Sequence, residues 1–302
     1  MHLIPMTPPA HVQTLSGFDY VATDAERRRV YAAHTGSNAL LIVNADGGAV
    51  LGQVKVGPMH GVAVDPASGH VYTGDGEQRT VSEVDPVAMT VVSSAAVDGK
   101  VDAIAYDAVL HRVYADEDDG TRIFVVDTLT MKETATIQIP GHKPEYLAID
   151  AKSHELYQNI DDLAETVVID PQTLKVIRTI ATPAIKHDHP LIYDQAYGIL
   201  LVGGKNSLVA AYTRDGNLLS TAPVPVGIDQ CAFDSGTHRL ACAGSGKATV
   251  LQLSKAGALT DIADVDLPKE VHTMAFDEKT GHLWIVWADA TGDFVQELAL
   301  AP

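Results

Sequence analysis

The chain has 302 residues, nearly half of them hydrophobic and a fifth charged, the composition of an ordinary globular protein. Its 39 aspartates and glutamates against 21 lysines and arginines give a formal net charge of −18, which repels phosphate backbones and anionic lipid, so neither nucleic acid nor a membrane is an expected partner. No apolar run approaches the roughly 18 residues of a membrane span. Residues 1–9 lack the basic and apolar regions of a signal peptide, so the expectation is a cytoplasmic protein, or a periplasmic or secreted one whose leader is absent from this sequence.

In chain order, a short strand-like segment, His11-Val-Gln-Thr-Leu15, comes first. Seven apolar runs then end in an aspartate, at Asp24, Asp65, Asp107, Asp150, Asp194, Asp234 and Asp277, with gaps of 41, 42, 43, 44, 40 and 43 residues. A period of about 40–45 residues with several strands per unit marks a β-propeller. The second unit shows the plan. His60–Asp65 is a strand, Pro66–Gly69 a turn, His70–Gly74 a second strand, Thr80–Asp85 a third, and Val91–Ser94 forms the fourth.

The second strand recurs as Val30-Tyr31, Val71-Tyr72, Val113-Tyr114, Leu156-Tyr157 and Leu283-Trp284, a register suited to packing between neighbouring blades. The last unit runs out after Phe294-Val-Gln-Glu-Leu298, one strand short, and His11–Leu15 is the expected donor of the missing strand. The reading is all-β: residues 1–302 form a single seven-bladed propeller of four-stranded antiparallel blades, with an N-terminal strand completing the last blade. Cys231 and Cys242 flank the turn after Asp234, which would set them opposite one another on paired strands. They are expected as two small buried thiols.

The repeat, as in Gly57-Pro-Met-His-Gly-Val-Ala-Val-Asp-Pro66 followed by His70-Val-Tyr-Thr-Gly74 and Thr80-Val-Ser-Glu-Val-Asp85, resembles that of the YVTN-repeat β-propellers along essentially the whole chain. That resemblance implies a fold and little about function, because fold and function are separable.

Five of the thirteen histidines, His70, His111, His154, His238 and His282, fall four or five residues after the repeated aspartates and belong to the turn there. Another register is different. Five residues before each aspartate stand Asp19, His60, Asp102, Glu145, His189, Asp229 and His272, at the start of the strand that lines a propeller's channel. All seven are acidic or imidazole side chains. His60, His189 and His272 are spread round the ring as evenly as seven blades allow, and three protein ligands with an open position are the pattern of a catalytic metal.

The expected cofactor is therefore a divalent ion, with zinc, manganese, nickel, iron and copper all compatible, held by His60, His189 and His272. Glu145, Asp102 and Asp229 are the expected general bases. Asp19, His34, His142, His187, Lys143 and Lys186, on the same face, are the expected contacts to a small-molecule substrate. The acidic loop Asp116-Glu-Asp-Asp119 lacks the glycine and ligand spacing of a calcium loop. A Gly-x-Ser-x-Gly elbow and a phosphate-cradling loop are missing too. A metal-dependent lyase or hydrolase for a small polar substrate follows, with a non-catalytic ligand-binding, metal-binding or interaction scaffold as the alternative.

Overall fold

In the computed structural model, which describes residues 2–12 and 17–301, seven antiparallel sheets succeed one another along the chain. Each is a meander whose first strand faces the channel. These first strands are Val21–Asp24, Met59–Val64, Val101–Asp107, Pro144–Ile149, Asp188–Asp194, Ala232–Asp234 and Met274–Asp277. Most neighbouring first strands pack on one another, and the last reaches back to the first.

The turn after each first strand explains why an aspartate recurs there. In all seven blades its Oδ1 accepts a backbone N–H two or three residues on, from Arg27, Ala67, Val109, Lys152, Ala196, Gly236 and Lys279. The residue four after the aspartate has positive φ in every blade, and is Arg28, Gly69, His111, His154, Gly198, His238 or Gly281. Two of the histidines reach the preceding blade's aspartate, His154 Nδ1 to Asp107 Oδ2 and His238 Nδ1 to Asp194 Oδ2, each at 2.8 Å. Arg28 does the same to Asp277 at 2.6 Å. His70 and His282, one residue later, bond Glu83 and Glu297 within their own blades.

The core is built between blades. Tyr31 packs with Val71 and Val84 of the second blade, Tyr157 with Leu191 and Val202 of the fifth, and Trp284 with Val21 and Val30 of the first. The aromatic register read from the sequence is thus the inter-blade contact, burying large side chains where flat sheets meet.

The seventh blade is completed from the N-terminus, as expected, but in two pieces. His2–Pro5 pairs with Leu298–Ala301, and Ala10–Val12 pairs with Asp293–Val295. Pro8 and Pro9 stand between them and carry no N–H for a ladder. Thr7 bridges the break, its Oγ1 accepting from Glu297 N at 3.1 Å. Residues 13–15 of the anticipated strand lie outside the described residues.

Cys231 and Cys242 are joined in a disulfide, which corrects the expectation of two thiols. Directly opposite positions of an antiparallel pair bring the Cα atoms to 4.4 Å, the short end of disulfide reach.

Candidate functional site at the channel mouth

Bulges aim the ring. In the second blade Met59 pairs with Asp75 and Val62 with Thr73, so His60 and Gly61 together oppose one residue. The same irregularity falls at Asp102 and Ala103, at Tyr146 beside Glu145, and at His189 and Pro190. An extra residue bends a strand and turns a side chain out of the ladder. Here it turns the register toward the channel.

Two groups result. In one, His60 Nδ1 lies 2.6 Å from Asp19 Oδ2 and 3.8 Å from Asp102 Oδ1. Ligand-capable atoms of Asp19, His60 and Asp102 all lie within 4.8 Å of one another, the one such triple among the described residues. In the other, His189 is flanked by two carboxylates. Its Nε2 bonds Asp229 Oδ1, and its Nδ1 lies 3.0 Å from Glu145 Oε2, too poorly aligned for a hydrogen bond. His272 Nε2 approaches Asp229 Oδ2 only to 3.8 Å, while its Nδ1 donates to the Glu270 carbonyl at 2.8 Å.

The three-histidine set expected from the sequence is therefore not gathered. Carboxylates stand between the histidines round the ring, engaging His60 and His189 first, while His272 bonds a backbone carbonyl. What the ring brings together is one imidazole with two carboxylates.

Charge states follow from these contacts. The hydrogen bond from His60 to Asp19 holds the imidazole well above its ordinary range, against the effect of burial. Burial lowers His189, yet its bond to Asp229 and the nearby Glu145 carboxylate outweigh this and lift it to about 10. Burial alone would raise Asp229, but His189 holds it below the usual carboxylate value. Asp102 is raised, first by burial and then by Asp19 and Glu145. Asp116 lies next to it, fully buried, with Oδ1 accepting from Ala103 N and Oδ2 from Gln158. Burial and then Asp102 push its carboxyl well up.

The remaining expected residues divide. His34 is fully buried, bonded to Asp293 Oδ2 at 2.5 Å and stacked on Phe18, so it is held away from any substrate. Burial is the larger influence and lowers it. The start of its loop turns inward because the blade-one strand Arg29–His34 runs one residue further than expected. His142, Lys143, Lys186 and His187 are exposed on the mouth, with Lys143 3.2 Å from Asp119 and His187 Nδ1 2.7 Å from Asp161. The acidic loop comes apart: Asp116 points inward, while Glu117 is clamped by Arg122 at 2.5 Å.

Sequence reasoning missed the layer next to the ring. One register on stand Tyr20, Gly61, Ala103, Tyr146, Pro190, Gln230 and Thr273. Tyr20 and Tyr146 meet at 5.2 Å between ring centroids, and Gln230 bonds Val21 and Thr273. The same alignment that exposes the ring would have shown these two tyrosines.

No family model and no curated relative matches the chain. Solved structures do. A chain of the hydrazine synthase of Kuenenia stuttgartiensis superposes with a TM-score of 0.79 at 15% identity, over 95% of this chain and 97% of that one. The chain is a seven-bladed β-propeller. A chain of the mitotic checkpoint complex is similar to the propeller with a TM-score of 0.78, again at 15% identity, over 99% of this chain and 91% of its own. At such identities the likeness bears on the fold alone.

Proposed function

We propose that the propeller is a metal-dependent enzyme of YVTN-repeat type, a lyase or hydrolase for a small polar substrate, with a divalent ion at the channel mouth. The carrying observation is the meeting of Asp19, His60 and Asp102 within 4.8 Å. Two carboxylates and one imidazole suit manganese, iron or zinc. Bound there, the ion would polarise a substrate oxygen or make water more acidic.

The neighbouring group supplies proton transfer. His189 is held as imidazolium between Glu145 and Asp229 and is placed to give a proton to a leaving group. Glu145 and Asp229 are the acceptors. Lys186, His142 and His187 line the approach and attract anionic substrate groups into an otherwise acidic mouth.

A second reading has its own observation. The ring already neutralises itself, His60 against Asp19 and His189 against Asp229. A binding or scaffold propeller with a polar channel needs no more than that.

Metal titration by calorimetry separates the two, using manganese, zinc and nickel salts. The enzyme reading expects one ion per chain, with affinity reduced about 10–100-fold or more in His60→Ala and Asp19→Asn and little changed in His272→Ala. Equal losses in His272→Ala would restore the three-histidine site. No uptake at all would leave the scaffold.

A further inference from the structure

A first strand of about five residues carries the channel roughly 17 Å from the ring to the opposite face, and there it widens. A cavity of about 780 Å³ lies among the far ends of the first strands and the aspartate turns. None of the seven ring residues lines it. Its size falls within the roughly 300–1,000 Å³ of pockets that hold small organic molecules.

Its chemistry is unlike that of the mouth. The wall is apolar and aromatic, with Tyr106, Ile149, Phe233 and Phe276. The inner end is formed by Tyr146 and Gln230. Gln230 is already used, accepting from Val21 N and Thr273 Oγ1 and donating to the Val21 carbonyl. Gln230 also bonds the Tyr146 side chain, in the sense that lowers the phenol, as a donor to its oxygen does. Tyr146 also has φ of 67°, as the extra residue of its bulge. A non-glycine residue in that region is strained and persists where the surroundings demand it. At the rim Glu26 and Glu278 are exposed, while Asp24 and Asp107 are buried in their turns and His154 bonds Asp107. Arg27, the single guanidinium there, is tied to Asp24 and to the carbonyls of Pro66 and Ala67.

We infer that this cavity is a second binding site, for a cationic amphiphile. Its apolar body fills the aromatic funnel, its charged end stays at the acidic rim, and a hydrogen-bond acceptor at its inner tip takes the Tyr146 O–H. The site is independent of the metal ring, since Tyr146 and its neighbours separate the two.

The test is calorimetric titration below the micelle concentration with three probes: dodecyltrimethylammonium, 11-hydroxyundecyl-trimethylammonium and dodecanoate. Both cations should bind one per chain, the hydroxyl-tipped one several-fold tighter, and dodecanoate at least 10-fold more weakly. Ile149→Trp, which fills the funnel, should weaken both cations at least 10-fold while circular dichroism stays unchanged. Tyr146→Phe should erase the preference for the hydroxyl tip, and this conservative variant carries the test if Ile149→Trp does not fold. His60→Ala should change nothing. Absence of saturable cation binding, dodecanoate binding as tightly, or a hydroxyl preference surviving in Tyr146→Phe would each overturn the inference.

Discussion

Asp102 and Glu145 are the one pair of carboxylates that stand next to each other in the channel ring. Everywhere else acid and imidazole alternate, from Asp19 and His60 round to His189, Asp229 and His272. Seven is odd, so full alternation is impossible and one like pair must remain. The repulsion is concentrated on Asp102, which burial, Asp19 and Glu145 together raise above the ordinary carboxylate range.

Asp102→Asn should therefore stabilise the metal-free protein while abolishing metal uptake. A raised carboxylate contributes stability that is complete at low pH and lost as pH climbs through its folded value. The gain from the substitution should be near zero at pH 4 and about 1–2 kcal/mol at pH 9. Thermal unfolding with a chelator present, at both pH values, measures it.

Asp188 gives a second pH signature away from the ring. It is fully buried, with Oδ2 accepting from Thr182 and Oδ1 lacking a partner. Burial lifts it to about 7 against the ordinary 3.8. The wild type should lose stability between about pH 4 and 7, and Asp188→Asn should flatten that slope. Denaturant midpoints across the window check it, and the two proteins should differ by a few kcal/mol at pH 8.

The turn histidines should prove structural. His238 has φ of 55°, stacks on Tyr197 at 3.8 Å and bonds Asp194 across the blade boundary. His238→Gly keeps the backbone and loses the bond, at a cost of about 1–2 kcal/mol. His238→Val adds a β-branched side chain to a left-handed position and should cost about 1–2 kcal/mol more. Chemical denaturation ranks the two.

Reduction of the Cys231–Cys242 bond, or the double alanine variant, should destabilise the protein by about 3 kcal/mol, the chain-entropy value for a loop of this length. Calorimetry with and without reductant reads it directly.

The blades were legible because each repeats a physical need: an aspartate to hold its turn, an aromatic to fill the gap to the next sheet. The ring was legible by the same alignment. Its pairing was not, since even spacing of His60, His189 and His272 says nothing of which carboxylate each imidazole meets first. His34 shows a second limit, for its fate depends on Asp293, 259 residues away. The disulfide needed the pairing of two strands at atomic register, which the near-symmetry of Cys231 and Cys242 about their turn suggested without deciding.

The split strand that finishes the seventh blade gives the circle a clasp. Within every other blade neighbouring strands follow one another in the chain, but Leu3 meets Leu300. That contact must wait for nearly the whole chain to be in place, so the loop-closure entropy of the circle falls on its last fastening. Opening should begin at the same point, with the proline break between the two pieces as the place where the band first parts.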